Sequence, residues 1–282
     1  MAAGIFPFAP RDIEEAHRLS ANIGWPHTID DWQFAASVGQ GYVARDNGQL
    51  VGTCLTWPLD HNVATLGLLI VAPHAGGRGL GRTLLRAAIE DHPTQTIVLH
   101  ATDIAVPLYI SEGFVQDGWV RQVQGIVSQP DVDEEPGDRG WLLRTVESQT
   151  DLSTIFTLDR QATGIDRGRI LNAVLKSSDG TILCQGDQTV GFALFRPFGR
   201  GFVIGPVVAA SEQGARFMLS RLLNALFGKF VRLDIVDRRI DVAWLSRFGL
   251  EEVARVQVMR KGPVTPPVSK YQKFTLIGHA FG

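Results

Sequence analysis

The residue types that could do chemistry concentrate in one stretch of this 282-residue chain: Leu68-Leu-Ile-Val71-Ala-Pro73-His74-Ala-Gly76-Gly77-Arg78-Gly79-Leu80-Gly81-Arg82-Thr-Leu-Leu85. An apolar run, which reads as a buried strand, enters a glycine-rich turn and leaves it as a helix. Such a turn is an anion cradle. Glycines let backbone N–H groups approach a phosphate closely, and the helix N-terminus adds unpaired donors and a positive dipole end. Arg78 and Arg82 can pair a phosphate directly, and His74 sits within reach of the same ligand. A Walker A loop needs Gly-Lys-Ser/Thr, and the loop has no lysine. A dinucleotide fingerprint needs glycine where Arg82 stands. A tight turn without a ligand is the plain alternative.

A second group of polar and aromatic residues is Gly24-Trp25-Pro26-His27-Thr28-Ile-Asp30-Asp31-Trp32. His27 ordinarily titrates near neutral pH, which suits a base. Trp25 and Trp32 flank it and can wall an apolar or aromatic pocket. Asp30 and Asp31 read as helix-capping residues rather than catalytic ones. His100, inside an apolar strand, reads as a core histidine with its hydrogen bonds satisfied. Asp166, Arg167 and Arg169 form a polar cluster that either faces a cleft or is solvated surface.

The elements that must position these residues follow from periodicity. Asp12–Ile23 has helical spacing, stopped by Gly24-Trp25-Pro26. A second helix, capped by Thr28 or Asp30, runs to about Val38. Tyr42–Arg45 and Leu50–Trp57 are strands joined by Asp46-Asn47-Gly48, a hairpin signal. Ala64–Val71 is a central strand, Gly79–Asp91 an amphipathic helix, Thr96–His100 a strand, Ile104–Glu112 a helix and Phe114–Gln124 a strand. The second half repeats the order. Val190-Gly191 echoes Val51-Gly52, Gly201–Val208 matches Ala64–Val71 with Pro206 at Pro73, and Gly249-Leu250 echoes Gly113-Phe114. Matched order argues for an internal duplication. The expected division is a first domain at 1–128, an acidic linker at 129–140 and a second domain at 141–282.

Composition narrows the class. Hydrophobic residues make up 45% and charged residues 20%, as in a folded soluble chain, and no run of about 18 apolar residues suggests a membrane span. The first ten residues lack a basic start and a long apolar stretch, so no secretory signal is expected. The two cysteines, Cys54 and Cys184, have no metal-ligand spacing; no metal is expected, and a reducing cytoplasm is. Residues 1–140 carry 8 Arg and 17 Asp and Glu, a net of −9, while the remainder nets +7. Either this is a solvated linker plus chance, or the halves attract and hold an anionic ligand between them. No Lys/Arg cluster interleaved with aromatics suggests nucleic acid.

The segment Val71-x-Pro73-x-x-x-Gly77-Arg78-Gly79-x-Gly81, followed by Ala105-Val-Pro-Leu108-Tyr109-Ile-Ser-Glu-Gly113-Phe114, resembles the acetyl-CoA signature and the A-x-x-L-Y-x-x-x-G-F element of the GNAT acyltransferase superfamily. The resemblance covers nearly all of residues 5–125. Gly24–Trp32 and the weaker repeat at 140–282 resemble bacterial tandem-GNAT proteins with a divergent C-terminal half. The fold it implies is α/β: two tandem mixed, mostly antiparallel twisted sheets flanked by helices. Acetyl-CoA is the implied cosubstrate, held by Gly76, Gly77, Arg78, Gly79, Leu80, Gly81 and Arg82. Ile70 and Val71 amides would polarise the thioester carbonyl, and Thr102 stands where the family often has Asn. Gly76 departs from the family's usual Arg or Gln. Tyr109 is implied as the acid toward the departing thiolate. The loop carrying His27, Trp25 and Trp32 lines the acceptor site in this fold, which makes His27 the candidate base.

The second half lacks these features. Its loop reads Val207-Val-Ala-Ala-Ser211-Glu212-Gln-Gly214, with only Gly214 matching, at Gly81, and Leu245 stands at the position of Tyr109. The expectation is therefore an N-acetyltransferase of a small-molecule amine, monomeric or homodimeric, with chemistry in the first half and a wall of the acceptor site from the second. The alternatives are a non-catalytic acyl-CoA-binding sensor or a transferase of another acyl group.

Overall fold

The computed structural model describes residues 3–128, 140–147 and 150–282. All but one residue of the expected linker, 129–140, lies outside the described residues. The first half contains β1 (Gly4–Pro7), α1 (Ile13–Asn22), α2 (Ile29–Val38), β2 (Gln40–Asp46), β3 (Gln49–Pro58), β4 (Val63–Val71), α3 (Leu80–Glu90), β5 (Thr96–Ala101), α4 (Val106–Ser111) and β6 (Val115–Ile126). The second contains β7 (Trp141–Thr145), α5 (Leu152–Thr163), α6 (Gly168–Leu175), β8 (Asp179–Gln185), β9 (Gln188–Phe198), β10 (Gly201–Ala209), α7 (Glu212–Ala225), β11 (Phe230–Val236), α8 (Val242–Ser246) and β12 (Glu251–Lys261), with an additional β13 (Gln272–Thr275). The order of elements is the same in both halves up to β12.

Local chemistry explains the elements. Asn47 and Gly48 take φ of 49° and 84°, the two positive values a two-residue hairpin turn requires. Thr28 caps α2, accepting from Asp31 N at 3.1 Å, while Asp31 Oδ2 accepts in return from Thr28 N at 2.8 Å. The Val-Gly echo has a packing cause. A Cβ on Gly52 would come within 2.9 Å of Leu84 on α3, and one on Gly191 within 3.0 Å of Met218 on α7. In each half the central helix lies down on its strand at that glycine.

The sheets of the two halves fuse. Thirteen strands run in the order β1-β2-β3-β4-β5-β12-β6-β11-β13-β10-β9-β8-β7. Among the described residues only β4–β5 and β10–β11 pair in parallel. The last strands of the two halves are exchanged: β12 pairs with β5 of the first half, and β6 pairs with β11 of the second. The cores follow the strands. Met259 of β12 joins the core that holds the first-half strands together with α5 and α6, and Val123 of β6 joins the core under α7. Among the described residues no helix is long and apolar enough to cross a membrane.

One matched pair from the sequence needs correcting. Pro206 lies inside β10, where the β9–β10 register shifts between Ile204 and Val207. Its counterpart by strand position is therefore Leu68, the bulged residue of β4, and not Pro73 beyond the strand's end.

Candidate active site

The glycine-rich loop begins where β4 leaves its neighbour. The β4–β5 register runs from Val63↔Thr96 to Leu66↔Leu99 and ends. Just beyond, β4 bulges against β3, with Leu68 at φ 50° and its carbonyl held by Thr53 Oγ1 at 2.7 Å. A bulge re-aims the strand that follows it, and here it splits β4 from β5. Ile70 and Val71 lie in the split portion. The chain then makes a short turn at Pro73–Ala75 and reaches Gly77 and Gly79 at φ of 73° and 75°. Nothing lies within 4 Å of a Cβ placed on either, so these glycines are required by backbone conformation, not by packing.

Gly79 is the N-cap of α3, and no side chain caps that helix, so its first-turn amides remain available to an anion. Gly76–Gly79 and His74 are exposed, Leu80 is buried, and Gly81 faces Val71, 3.6 Å from its would-be Cβ. The two loop arginines each have a carboxylate. Arg78 reaches Asp46 at 2.5 Å, and Arg82 reaches Glu112 at 3.1 Å and Ser111 Oγ at 3.0 Å. Such exposed pairs are weak and exchange readily for another anion.

Tyr109 stands on α4 with its side chain in the hydrophobic core. Its ring is buried edge-on to Phe114, with centroids 5.6 Å apart. Burial, with the Cys54 thiol nearby, pushes its hydroxyl well above the usual phenol range, so it keeps its proton at any working pH.

On the other side of β4, a cavity of about 360 Å³ lies at the junction of the halves. The first half contributes Gly24–His27, Leu66–Leu68, His100 and Thr102. The second contributes Arg196 and Phe198 from β9, Arg232 and Asp234 from β11, and the segment 277–281 after β13. The cavity thus adjoins the split strand at its bulge.

His27 stands against Trp25 and Phe198, with ring centroids 5.6 Å and 5.4 Å away, and its Nδ1 is buried without a partner. Burial pushes its pKa down to about 4, so the imidazole is neutral. His100 is not a core residue: it lines the cavity, stacked 5.5 Å from His279, and donates Nδ1–H to the His279 carbonyl at 2.7 Å. Burial, aided by the His279 ring, pushes it down to about 3. Asp234 receives Arg232 at 2.9 and 3.0 Å and lies 3.1 Å from His279 Nε2, not aligned for a hydrogen bond. Arg232, with the His279 ring beside it, holds the carboxyl below the ordinary range despite full burial. Asp31 caps α2 and also accepts from Gly199 N at 3.0 Å, which ties the acceptor loop to the second half.

Four of the residues singled out in the sequence lie away from the cavity, two of them, Asp166 and Arg169, as the solvated surface that is one of their two readings. Trp32 does not line the cavity: it is fully buried behind His27, and its Nε1 donates to Ser20 Oγ at 3.0 Å. Arg167 is buried against Asp159 at 2.5 Å and the Gly282 carbonyl, so it braces the second half and faces no cleft. Asp166 and Arg169 are exposed away from the cavity. Conversely, Arg196, Arg232, Asp234 and His279 belong to no local motif. The available signal was charge inside apolar strands, as in Phe230-Val-Arg232-Leu-Asp234-Ile-Val236.

Comparison with known proteins agrees with this geometry. Two models described as Acetyltransferase (GNAT) domain match the chain, at residues 37–116 and 155–274. The chain belongs to the GNAT acetyltransferase family, as a tandem pair of such domains with a divergent second member. Its fold is similar to that of a candidate acetyltransferase from Pyrococcus horikoshii (21% identity, 99% of this chain and 96% of that one, TM-score 0.81). It is also similar to a GCN5-related N-acetyltransferase from Sphaerobacter thermophilus (16%, 95% and 97%, TM-score 0.68). A tandem GNAT protein from the clavulanic acid biosynthesis pathway shares the architecture as well (17%, 94% and 100%, TM-score 0.64). At these identities the likeness concerns the fold. No curated protein matches the chain by sequence.

Proposed function

We propose that the protein is an acetyl-CoA-dependent N-acetyltransferase for a small-molecule amine, with a single reaction centre in the first half. One observation carries this reading. The β4–β5 split lies between the uncapped α3 N-terminus and the junction cavity, whereas the matching β10–β11 split is filled by β13, which pairs with both strands.

The donor fits these residues. Amides of Gly76–Arg82 and the α3 N-terminus take its phosphates, and Ile70 and Val71 present backbone donors to the acyl carbonyl. Bound there, acetyl-CoA supplies an activated acetyl thioester. His27 Nδ1, neutral and unpartnered, accepts a hydrogen bond from the acceptor nitrogen and orients its lone pair. An imidazole this weakly basic favours an amine that arrives uncharged. Tyr109 Oη gives its proton to the leaving sulfur as negative charge develops there and regains one from solvent, while the proton that the attacking nitrogen sheds passes to solvent, so that an acetamide and a free thiol result. Thr102 and the Leu66–Leu68 segment form the passage between the two sides.

Calorimetry with acetyl-CoA, followed by thiol release against an amine panel, tests the reading. One coenzyme per chain and amine-dependent thiol release are expected. Two coenzymes per chain would contradict the single centre. Binding without release for every amine would favour a non-catalytic acyl-CoA-binding protein, and faster release from a longer acyl-CoA would change the donor.

A further inference from the structure

We infer that the acceptor amine also carries an anionic group, a carboxylate or a phosphate, which Arg196 and Arg200 receive in the junction cavity. This deepens the transferase reading and rests on the cavity being its acceptor site.

Positive charge exceeds negative charge among the cavity's side chains. Three guanidiniums line the cavity, those of Arg196, Arg200 and Arg232, against two carboxylates, Asp31 and Asp234. Both carboxylates are already engaged. Asp234 takes the Arg232 fork and faces His279. Asp31 Oδ2 accepts from Thr28 N at 2.8 Å, Thr28 Oγ1 at 3.0 Å and Gly199 N at 3.0 Å, while its Oδ1 stands 3.7 Å from Arg196 Nη1, an ion pair without a hydrogen bond, and Nη1 donates instead to the Pro197 carbonyl at 3.1 Å. His27 and His100 are neutral and add no charge to offset.

Arg196 is the costly member. Its side chain is 6% exposed, and its Nε is buried without a partner. Its guanidinium lies over the Phe34 and Phe198 rings, at 5.0 and 5.3 Å, which supports a cation without supplying an anion. A buried charge with spare donors is expensive unless something pairs with it. Arg200, at the exposed rim, rests 6.0 Å from the Phe230 ring. Planar guanidinium forks match carboxylate and phosphate oxygens, and surrounding rings exclude the water that would weaken the pairing.

Spacing limits the ligand. Arg196 and His27 both stand against Phe198, so the group that reads the anion and the group that receives the amine share one phenyl ring. The ligand is therefore compact, with amine and anion joined by a short connector.

The test uses the full chain with acetyl-CoA and a library of primary amines in matched pairs. Amino acids are set against their carboxamides, and aminoalkyl phosphates, such as phosphoethanolamine, against the free alcohols. Kd is read from quenching of tryptophan fluorescence, and kcat/KM from thiol release. At least one anionic member should exceed its neutral partner by about 30-fold, and the carboxylate and phosphate arms identify which anion is read. Arg196→Gln should lower kcat/KM for the anionic member about tenfold more than for its neutral partner, and Arg196→Lys should restore part of the difference. Should Arg196→Gln fail to fold, Arg200→Gln at the rim should still lower the anionic member alone. Equal use of neutral partners, an equal loss on both members in these variants, or no binding by any library member overturns the inference. Calorimetry with acetyl-CoA separates the two failures: coenzyme binding with turnover of neutral amines leaves the transferase reading intact, and loss of both removes it.

Discussion

The connection from β4 to α3 and the connection from β10 to α7 occupy the same place in a repeated fold, and only the first leaves its helix N-terminus without a side-chain cap. In the first half eight residues, Ala72 to Gly79, separate strand from helix; in the second only Ala210 and Ser211 do. The short version leaves no room for a cradle. It also closes the helix, since Ser211 Oγ accepts from Gly214 N at 3.2 Å and Glu212 places a carboxylate in the first turn. The strand split behind it is filled by β13. Shared secondary structure therefore says little about shared chemistry; a few residues at a helix N-terminus and the contents of one split decide it.

The largest expected effect tests the acid side of this contrast. Tyr109→Phe should lower kcat by about 100-fold with acetyl-CoA affinity unchanged, the range for losing a general acid. Stopped-flow thiol release and calorimetry check the two parts. A rate within about twofold of the parent would make solvent the proton source.

A smaller effect is expected at the cradle. Gly81→Asp should weaken acetyl-CoA at least about tenfold, or about 1.4 kcal/mol, by placing a carboxylate at the α3 N-terminus. Gly81 is the cleaner site than Gly79. It has no positive φ, and its Cβ would lie 3.6 Å from Val71, an ordinary contact. Gly81→Ala should accordingly cost much less than Gly81→Asp, and calorimetry on both separates charge from bulk.

How far the sequence reaches is clear from these same residues. The loop, the helix after it and Tyr109 form local motifs, so their placement on a strand, a turn and two helices was legible. The repeat was legible because each half keeps the same turn chemistry and the same glycine under its central helix. The strand exchange was not. β6 and β12 have equivalent patterns, and periodicity cannot tell which sheet an alternating strand joins. β13 is four residues long and follows a proline-containing stretch, which hid it. The second-half wall of the cavity was foreseen only as an expectation about the halves, because Arg196 and Asp234 meet His27 through tertiary packing alone. Trp32 misled for the opposite reason. Its position beside His27 in sequence suggested a pocket wall, but helical geometry turns it into the core, where Ser20 satisfies its indole.

The junction holds two neutral imidazoles, His27 and His100, and acid should expose this. His27 and His100 have folded pKa values of about 4 and about 3, below the ordinary 6.5. Between those values and 6.5 the unfolded chain binds protons that the folded chain does not, so stability rises with pH there and is lost on acidification. Each group contributes a slope of about 1.4 kcal/mol per pH unit in that window. His27→Gln should reduce the slope of unfolding free energy between about pH 4.5 and 6 by about one proton, read from urea titrations at several pH values. An unchanged slope would mean that His27 titrates alike in both states.

The smallest effect sharpens the comparison most, because a large one would undo it. Ser211→Asp puts a negative charge at the α7 N-terminus, as Gly81→Asp does at α3. Aspartate is as good an N-cap as serine, so it can still accept from Gly214 N, and its charge suits the helix dipole. Stability should stay within about 0.5 kcal/mol, the usual range for a surface change that preserves a cap. Acetyl-CoA affinity should stay within about twofold. The position lies next to a split already occupied by β13, so no coenzyme contact is there to lose. If affinity instead fell as far as with Gly81→Asp, the second half would hold coenzyme after all, and β13 would have to leave its place for it to do so. Calorimetric stoichiometry on the same sample distinguishes that outcome, since a second site would raise it from one coenzyme per chain toward two.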